Sequence, residues 1–549
     1  MEGLRSEVDL VRVAMAVGRT SGLLWELTIP GLVALSKALG GGAKSPSQVY
    51  RIHAANTPSK PAMIWRDRTV TFAELDSRMD RIAGGLARSG ITRGTSVVMM
   101  MKNRPELIEL GGAVSRVGAA AVAVSWRSTA AELVYLATHC GATALVFDAE
   151  LTKVVEQARS ELPGIPPSNY FSVGGAVERA TPYDALLDTS AAFRPETGAE
   201  DDASVVIYTS GTTGKPKGAV RKFPKDALPA ALRFLRETPM RADDVHLVTC
   251  PLYHSTAFGF LTLSHVLGAT VVLMDDFKAE HFLEAVERHS ITTTALVPTM
   301  LHRIMALGPE VLASRNTRSL RAIFSGGAPL PGPLATLAMD HFGDILFNFY
   351  GATETGLVTL AKPADLRAAP STIGKAVPGN EIRLLTESGQ EASRGEVGEL
   401  YVKSKMLVAG YHKDDEATLG CMNAGFFSVG DLARSDRDGR YFIEGRKRDM
   451  VISGGVNVYP AEVEGVLEAH PAIAEVAVVG VPDPEWGERV RAFVARRSGA
   501  DLDEGALKLW TRERLAGPKV PRDFIFVDAL PRNPTGKVLK RELRAWRSS

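Results

Sequence analysis

Ala203-Ser204-Val205-Val206-Ile207-Tyr208-Thr209-Ser210-Gly211-Thr212-Thr213-Gly214-Lys215-Pro216-Lys217-Gly218 changes character halfway along. Residues 203–207 are largely apolar and β-branched, the pattern of a buried strand. From Thr209 onward, hydroxyls, glycines and lysines take over. Gly211, Gly214 and Gly218 let the backbone turn tightly and come close to a ligand. Exposed backbone N–H groups in such a turn form a concave anion site, and the hydroxyls of Thr209, Ser210, Thr212 and Thr213 add donors. Lys215 and Lys217 supply positive charge. The chemistry this suits is holding a polyphosphate. The loop lacks the Gly-x-x-x-x-Gly-Lys-Ser/Thr order of the P-loop, because Pro216 follows Gly214-Lys215 and Thr209 stands five positions before Gly214. The plain alternative is a flexible surface turn. A polar stretch follows, and then a helix-compatible run over 226–236.

Outward from the loop, strand-like and helix-like stretches alternate. Upstream, 50–60 reads as a helix, and 63–65 with 69–72 as a hairpin. Thr71 stands three residues before Glu74, the spacing of a capping box. Leu75, Met79, Ile82, Ala83 and Leu86 then keep helical spacing. Strand-like 97–101, helical 105–117 and strand-like 118–124 come next. Downstream, 245–249, 270–274 and 292–297 read as strands, with helices over 279–289 and 299–307. This alternation implies βαβ units and parallel sheets, an α/β fold. A chain of 549 residues exceeds one ordinary core. The charged run near 435–450 precedes a new α/β pattern, which places a boundary between 45–447 and a small domain over 448–549.

A formal net charge of +1 leaves no nucleic-acid footprint. Cys140, Cys250 and Cys421 are too widely spaced for a disulfide framework or a cysteine-based zinc site, and fit a reducing, cytoplasmic setting. Residues 1–44 form a separate extension rich in Val, Leu, Ala and Met, interrupted by Arg12, Arg19, Glu26 and Lys37. Leu27 to Ser36, the longest charge-free run, is half of a bilayer span. Two readings stand: helices packed on the main domain, or an interfacial segment over 1–40 resting on the inner face of a membrane.

Four further stretches carry chemistry. Ser325-Gly326-Gly327-Ala328-Pro329-Leu330 follows an apolar run, and paired glycines at a strand end let a flat ring lie against the backbone. In Asn348-Phe349-Tyr350-Gly351-Ala352-Thr353-Glu354-Thr355-Gly356, Tyr350 offers a ring to a base and Thr353 a donor to a phosphate. Glu354 beside a polyphosphate makes sense with a cation between them, since Mg²⁺ is usually held by one or two carboxylates plus phosphate oxygens. Asp431, after Gly430, can accept two ribose hydroxyls. Pro531 to Lys537 is a Pro/Gly-rich loop whose Lys537 reads either as a mobile tail lysine or as a catalytic ammonium.

Taken together, these motifs over roughly 45–545 resemble the adenylate-forming superfamily of acyl-CoA synthetases, aryl-CoA ligases, luciferases and adenylation domains, most nearly a bacterial fatty acyl-CoA synthetase. The resemblance implies a large multi-sheet domain and a small mobile α+β domain. It implies ATP, Mg²⁺ and coenzyme A as co-substrates and cofactor. The residues matching its phosphate loop are Thr209, Ser210, Gly211, Thr212, Thr213, Gly214, Lys215 and Lys217. Gly326, Gly327, Ala328, Tyr350 and Gly351 match its adenine pocket, Asp431 and Arg446 its ribose contacts, and Glu354 its magnesium residue. Lys537 matches its catalytic lysine, Gly454 its pantetheine channel and Arg448 its hinge. His254, with Gly327 and Tyr350, falls where the acyl group binds; amino-acid-activating members place Asp near there. Val429 stands where many members have Thr. The implied activity is ATP-dependent fatty acid–CoA ligation through acyl-AMP. Alternatives are carrier-protein loading, an aromatic acid, and a non-enzymatic adenylate-binding protein.

Overall fold

Thr71 caps the helix Phe72–Arg88 as the spacing predicts: its hydroxyl accepts from Glu74 N–H, and the Glu74 carboxylate accepts from Thr71 N–H. The buried face of this helix is Leu75, Met79, Ile82, Ala83 and Leu86. The computed structural model describes residues 12–40, 47–187, 204–209, 217–222, 227–453, 456–497, 499–532 and 538–546. Among these, the strands form four sheets.

Ser96–Met100, Ala120–Ala123, Ala142–Asp148 and Ser204–Thr209 run parallel as neighbours in an eight-stranded sheet. Val245–Val248, Thr270–Leu273, Thr293–Leu296, Ala322–Ser325 and Leu346–Ala352 form the parallel centre of a nine-stranded sheet. One core joins the two sheets: Val97, Met99 and Ala121 of the first pack with Met63, Val248 and Val271 of the second, around Phe72–Arg88 and Pro105–Arg116. A smaller antiparallel sheet follows, built on Glu381–Leu385, Gly398–Lys403, Phe426–Ser435 and Tyr441–Arg446. The C-terminal domain has its own sheet and core, with Val451, Val478, Val490 and Val494 fully buried. The architecture is therefore mixed α/β: a large multi-sheet domain and a smaller C-terminal one.

One element departs from the expectation. The polar stretch after the loop is a strand, Lys217–Lys222, antiparallel to Ser204–Thr209 with Thr209 opposite Lys217 and Ser204 opposite Lys222. The strands on either side of the loop are thus antiparallel partners. Lys217, Arg221 and Lys222 hide the strand from a hydropathy reading, and the short strand Gly410–Tyr411 covers its outer edge.

Near the N-terminus, 12–20, Leu23–Glu26 and Ile29–Gly40 are helical, with Pro30 in the first turn of the last. Val13 and Val17 lie in a core cluster with Phe234 and Leu235, and Glu26 pairs with Lys60 at 2.9 Å. Packing on the large domain is therefore observed for this segment. Trp25 and Ile29 are largely exposed. No helix among the described residues is long and apolar enough to cross a membrane.

Candidate active site

The parallel strands of the nine-stranded sheet end at one edge, and the turns beyond them assemble the site. Leu346–Ala352 returns as Gly356–Ala361, so Thr353, Glu354 and Thr355 form the tip of a hairpin. Gly351 allows it: a Cβ there would lie 2.1 Å from the carbonyl oxygen of Gly356. Glu354 is only 7% exposed, so this carboxylate is no solvent-facing turn residue. Its Oε1 accepts from the Tyr411 hydroxyl at 3.0 Å, and its carbonyl accepts from Val408 N–H. The Arg221 guanidinium donates to the carbonyls of Thr353 (2.6 Å) and Met406 (2.9 Å). Burial lowers the Arg221 pKa, against the pull of the Glu354 charge.

Arg221 and Tyr411 escape a reading of the sequence, because they lie on the unpredicted strand and on its edge partner. Lys217 faces Asp414 (3.5 Å) and the Tyr411 ring. Ser210 to Lys215, Gly454 and Lys537 lie outside the described residues, so the structure describes only the hairpin strands that carry the first group.

Asp431 lies within Phe426–Ser435, buried, opposite Arg446. Its Oδ2 accepts from the Tyr350 hydroxyl at 2.7 Å, and its Oδ1 pairs with Arg446 Nε at 3.2 Å. The predicted ribose pair is thus brought together, with Tyr350 joined through its hydroxyl. A carboxylate has about four lone-pair directions, so Asp431 keeps capacity for a ligand's hydroxyls. Gly326 is buried against the ring of Phe349, and Gly327 has φ +78°, a conformation that favours glycine. Arg448 falls in the short turn Lys447–Asp449 between the third sheet and the C-terminal one.

The helix Ser255–Leu267 starts at this edge with His254 as its N-cap, and no side chain caps it. Its first N–H groups form a natural anion site. Ser255 Oγ accepts from Thr353 Oγ1 at 3.2 Å, which ties the helix start to the Glu354 hairpin. Burial lowers the His254 pKa to about 4, so the ring is neutral at neutral pH. Its Nε2 is buried with no hydrogen-bond partner among the described residues. Uncapped N–H groups, a neutral imidazole and a buried carboxylate can bind an acid and a nucleotide side by side.

The profile of the AMP-binding enzyme family matches residues 50–412, and that of the AMP-binding enzyme C-terminal domain matches 462–537. An indoleacetate–CoA ligase of Aromatoleum aromaticum is 33% identical over 505 residues, covering 90% of this chain and 96% of its own. A long-chain-fatty-acid–CoA ligase of Mycobacterium tuberculosis is 31% identical over 480 residues, covering 87% and 93%. The solved o-succinylbenzoate CoA synthetase of Bacillus subtilis, in complex with its acyl-adenylate, superposes with a TM-score of 0.79 at 30% identity, covering 91% and 98%.

Proposed function

The chain belongs to the AMP-binding enzyme family, and from that premise we propose that it is an AMP-forming fatty acid–CoA ligase. At the coarser level it is an ATP-dependent acid–thiol ligase acting through an acyl-adenylate. The carboxylate oxygen attacks the α-phosphorus of ATP, and pyrophosphate leaves. The CoA thiol then attacks the acyl carbon, and AMP leaves.

The observation that carries the acid's place is the uncapped start of Ser255–Leu267, tied to Thr353 and headed by the neutral His254. No acidic side chain at that position would pair with a substrate ammonium, which favours a plain acid over an amino acid. Asp431, Arg446 and Tyr350 hold the ribose and base. Lys537 brings its ammonium to the attack on phosphorus, where charge grows in the transition state. The residues present fit a magnesium ion: Glu354 is a buried carboxylate on a hairpin held by Arg221, and such an ion completes its shell with phosphate oxygens. No group of three or more His, Cys, Asp or Glu among the described residues could hold a metal unaided. The ion, when bound, offsets phosphate charge. A surface role at the membrane is supported by the exposed Trp25, Ile29, Leu32 and Val33.

A second reading, an aromatic-acid–CoA ligase, is favoured by the indoleacetate activity named for one relative. Pyrophosphate release measured over straight-chain and aromatic acids, with and without CoA, separates the two. We expect release with straight-chain acids and thioester on adding CoA. Release only with aromatic acids would replace the substrate, and release with no thioester would replace CoA by another acceptor.

A further inference from the structure

The strand Val245–Val248 stops pairing at Val248, opposite Leu273 and Ala295. The helix Ser255–Leu267 begins a few residues on. The connector between them carries Cys250, Leu252 and Tyr253, all buried, and Pro251, which has no N–H to offer a ladder. A side chain from beside the other sheet fixes this connector. Asn103 Nδ2 donates to the carbonyl of Cys250 at 3.0 Å, and Asn103 Oδ1 accepts from Leu252 N–H at 2.8 Å. One planar amide offers both a donor and an acceptor, so it stands in for a neighbouring strand. It cannot turn over, because oxygen would then meet the Cys250 carbonyl and NH₂ the Leu252 N–H. Next along the chain, His254 N–H donates to the carbonyl of Pro251 at 3.0 Å, and Ser255 Oγ meets Thr353 Oγ1. The path from Asn103 to the helix start is short and hydrogen-bonded.

Asn103 itself has little freedom. It is 4% exposed and lies between Ser96–Met100 and Pro105–Arg116. Lys102 N–H donates to Asp148 Oδ2 at 2.7 Å, and Arg104 pairs with Asp148 and, at 2.8 Å, with Glu106. Asp148 ends the adjacent strand Ala142–Asp148. Both chain neighbours of Asn103 are therefore tied to one carboxylate.

The place of this tie matters for the reaction. Met99, Ala123 and Ile207 lie side by side on three parallel strands, and Asn103 and Thr209 follow Met99 and Ile207 toward the same sheet edge. The strand that carries Thr209 is thus two strands from the one before Asn103, about 10 Å. On the ligase reading, the eight-stranded sheet presents the nucleotide's phosphates and the helix after Val245–Val248 presents the acid. The spacing of the two sheet edges then sets the spacing of the reacting atoms. The core between the sheets is apolar, and apolar burial has no direction. Hydrogen bonds do have direction, and Asn103 supplies a pair of them at the edge where it counts.

We propose that Asn103 is a positioning residue for acyl-adenylate formation, holding the start of Ser255–Leu267 at the distance from the eight-stranded sheet that brings the acid's carboxylate to the α-phosphorus. The inference rests on the acid–CoA ligase reading. Asn103 acts through Cys250 and Leu252.

The test uses the full-length protein with Mg·ATP, CoA and whichever of octanoate and indoleacetate the wild type activates faster, with the adenylate of that acid supplied for the second step. Asn103→Asp keeps the shape and the acceptor for Leu252, and loses the donor to Cys250. Asn103→Leu loses both. A misplacement of about 1 Å costs on the order of 100-fold in rate, so kcat/KM for acid-dependent pyrophosphate release should fall roughly 100-fold in Asn103→Leu and about tenfold in Asn103→Asp. The KM for ATP, and thioester formation from supplied acyl-AMP, should stay within about threefold of the parent, because the bond between acyl group and phosphate already fixes the spacing in the adenylate. The second half-reaction also reports, in the same sample, that each variant is folded. Equal loss of both half-reactions in both variants would give Asn103 a folding role alone and overturn the proposal. Pyrophosphate release at the parent's rate in Asn103→Leu overturns it too, while the ligase reading survives either result. A wild type that releases no pyrophosphate with any acid overturns both.

Discussion

Glu354 is a carboxylate that folding has taken out of water at the tip of its hairpin. Tyr411 donates to it, and Arg221 clamps the backbone of Thr353 beside it, so its position is fixed before any ligand arrives. Glu354→Gln keeps the shape and leaves an oxygen for the Tyr411 hydroxyl, but removes the charge that a magnesium ion needs. The expected outcome is at least a ~10-fold rise in the Mg²⁺ concentration that supports pyrophosphate release; turnover of Mg·ATP like the parent's would refute the metal assignment. At the same scale, His246 carries a prediction about pH. It is 1% exposed, bonded to Thr293 at 2.9 Å and stacked on Phe260, and burial lowers its pKa from 6.5 to about 3. Below pH 6.5 the unfolded chain therefore binds a proton that the folded chain refuses. Stability falls as pH drops through that range and goes on falling to about pH 3. His246→Asn, which preserves a side-chain bond to Thr293, should flatten this acid slope in melting temperature. An identical slope in parent and variant would assign the acid loss to other groups.

Elements with clean periodicity were legible in the sequence. Ala279–His289 lies where its apolar spacing puts it, and the capping box at Thr71 fixes a helix start to the residue. The strand Lys217–Lys222 was not legible, since its lysines and arginine read as loop and the strand that covers its outer edge, Gly410–Tyr411, is distant in sequence. The same fact hid Arg221 and Tyr411, whose roles exist only once that strand is formed. The chemistry of their motifs and the family resemblance singled out Glu354 and Asp431, and the resemblance alone Arg446, but neither pointed to the hydroxyl of Tyr350 that joins Asp431. The N-terminal helices carry a prediction of their own. Val13 and Val17 are core residues, so deleting the segment would damage folding as well as any surface role. Ile29, Leu32 and Val33 instead share one helix face and, with Trp25, are 79%, 49%, 46% and 81% exposed respectively. Replacing all four by Ser or Gln should abolish co-sedimentation with phosphatidylglycerol vesicles and spare pyrophosphate release on short soluble acids. Unchanged sedimentation would leave the packing role alone.

Across the whole molecule, the C-terminal domain presents different loops to different parts of the large domain. Asn457, on the strand after Gly454, donates to Glu387 at 3.3 Å, in the turn that follows Glu381–Leu385 of the third sheet. Arg532, which opens the segment holding Lys537, lies near enough for its charge to act on His302, in Pro298–Met305 of the large domain. If Lys537 serves the attack on phosphorus and Gly454 the thiol step, one orientation cannot present both at the same site. The domain must then swing between half-reactions about a hinge, and Arg448, in the turn joining the third and fourth sheets, is the candidate pivot. Proline there would hold φ near −65° and forbid part of the swing. Arg448→Pro should therefore retain acid-dependent pyrophosphate release and lose thioester formation from supplied acyl-AMP. Lys537→Ala should do the reverse, because the ammonium acts on the charge that grows at phosphorus and has no part in thiol attack on the acyl carbon. The two variants together make a crossed test that a general loss of stability would not mimic. If each variant loses both half-reactions equally, with circular dichroism matching the parent, the alternating domain is the wrong mechanism for this chain.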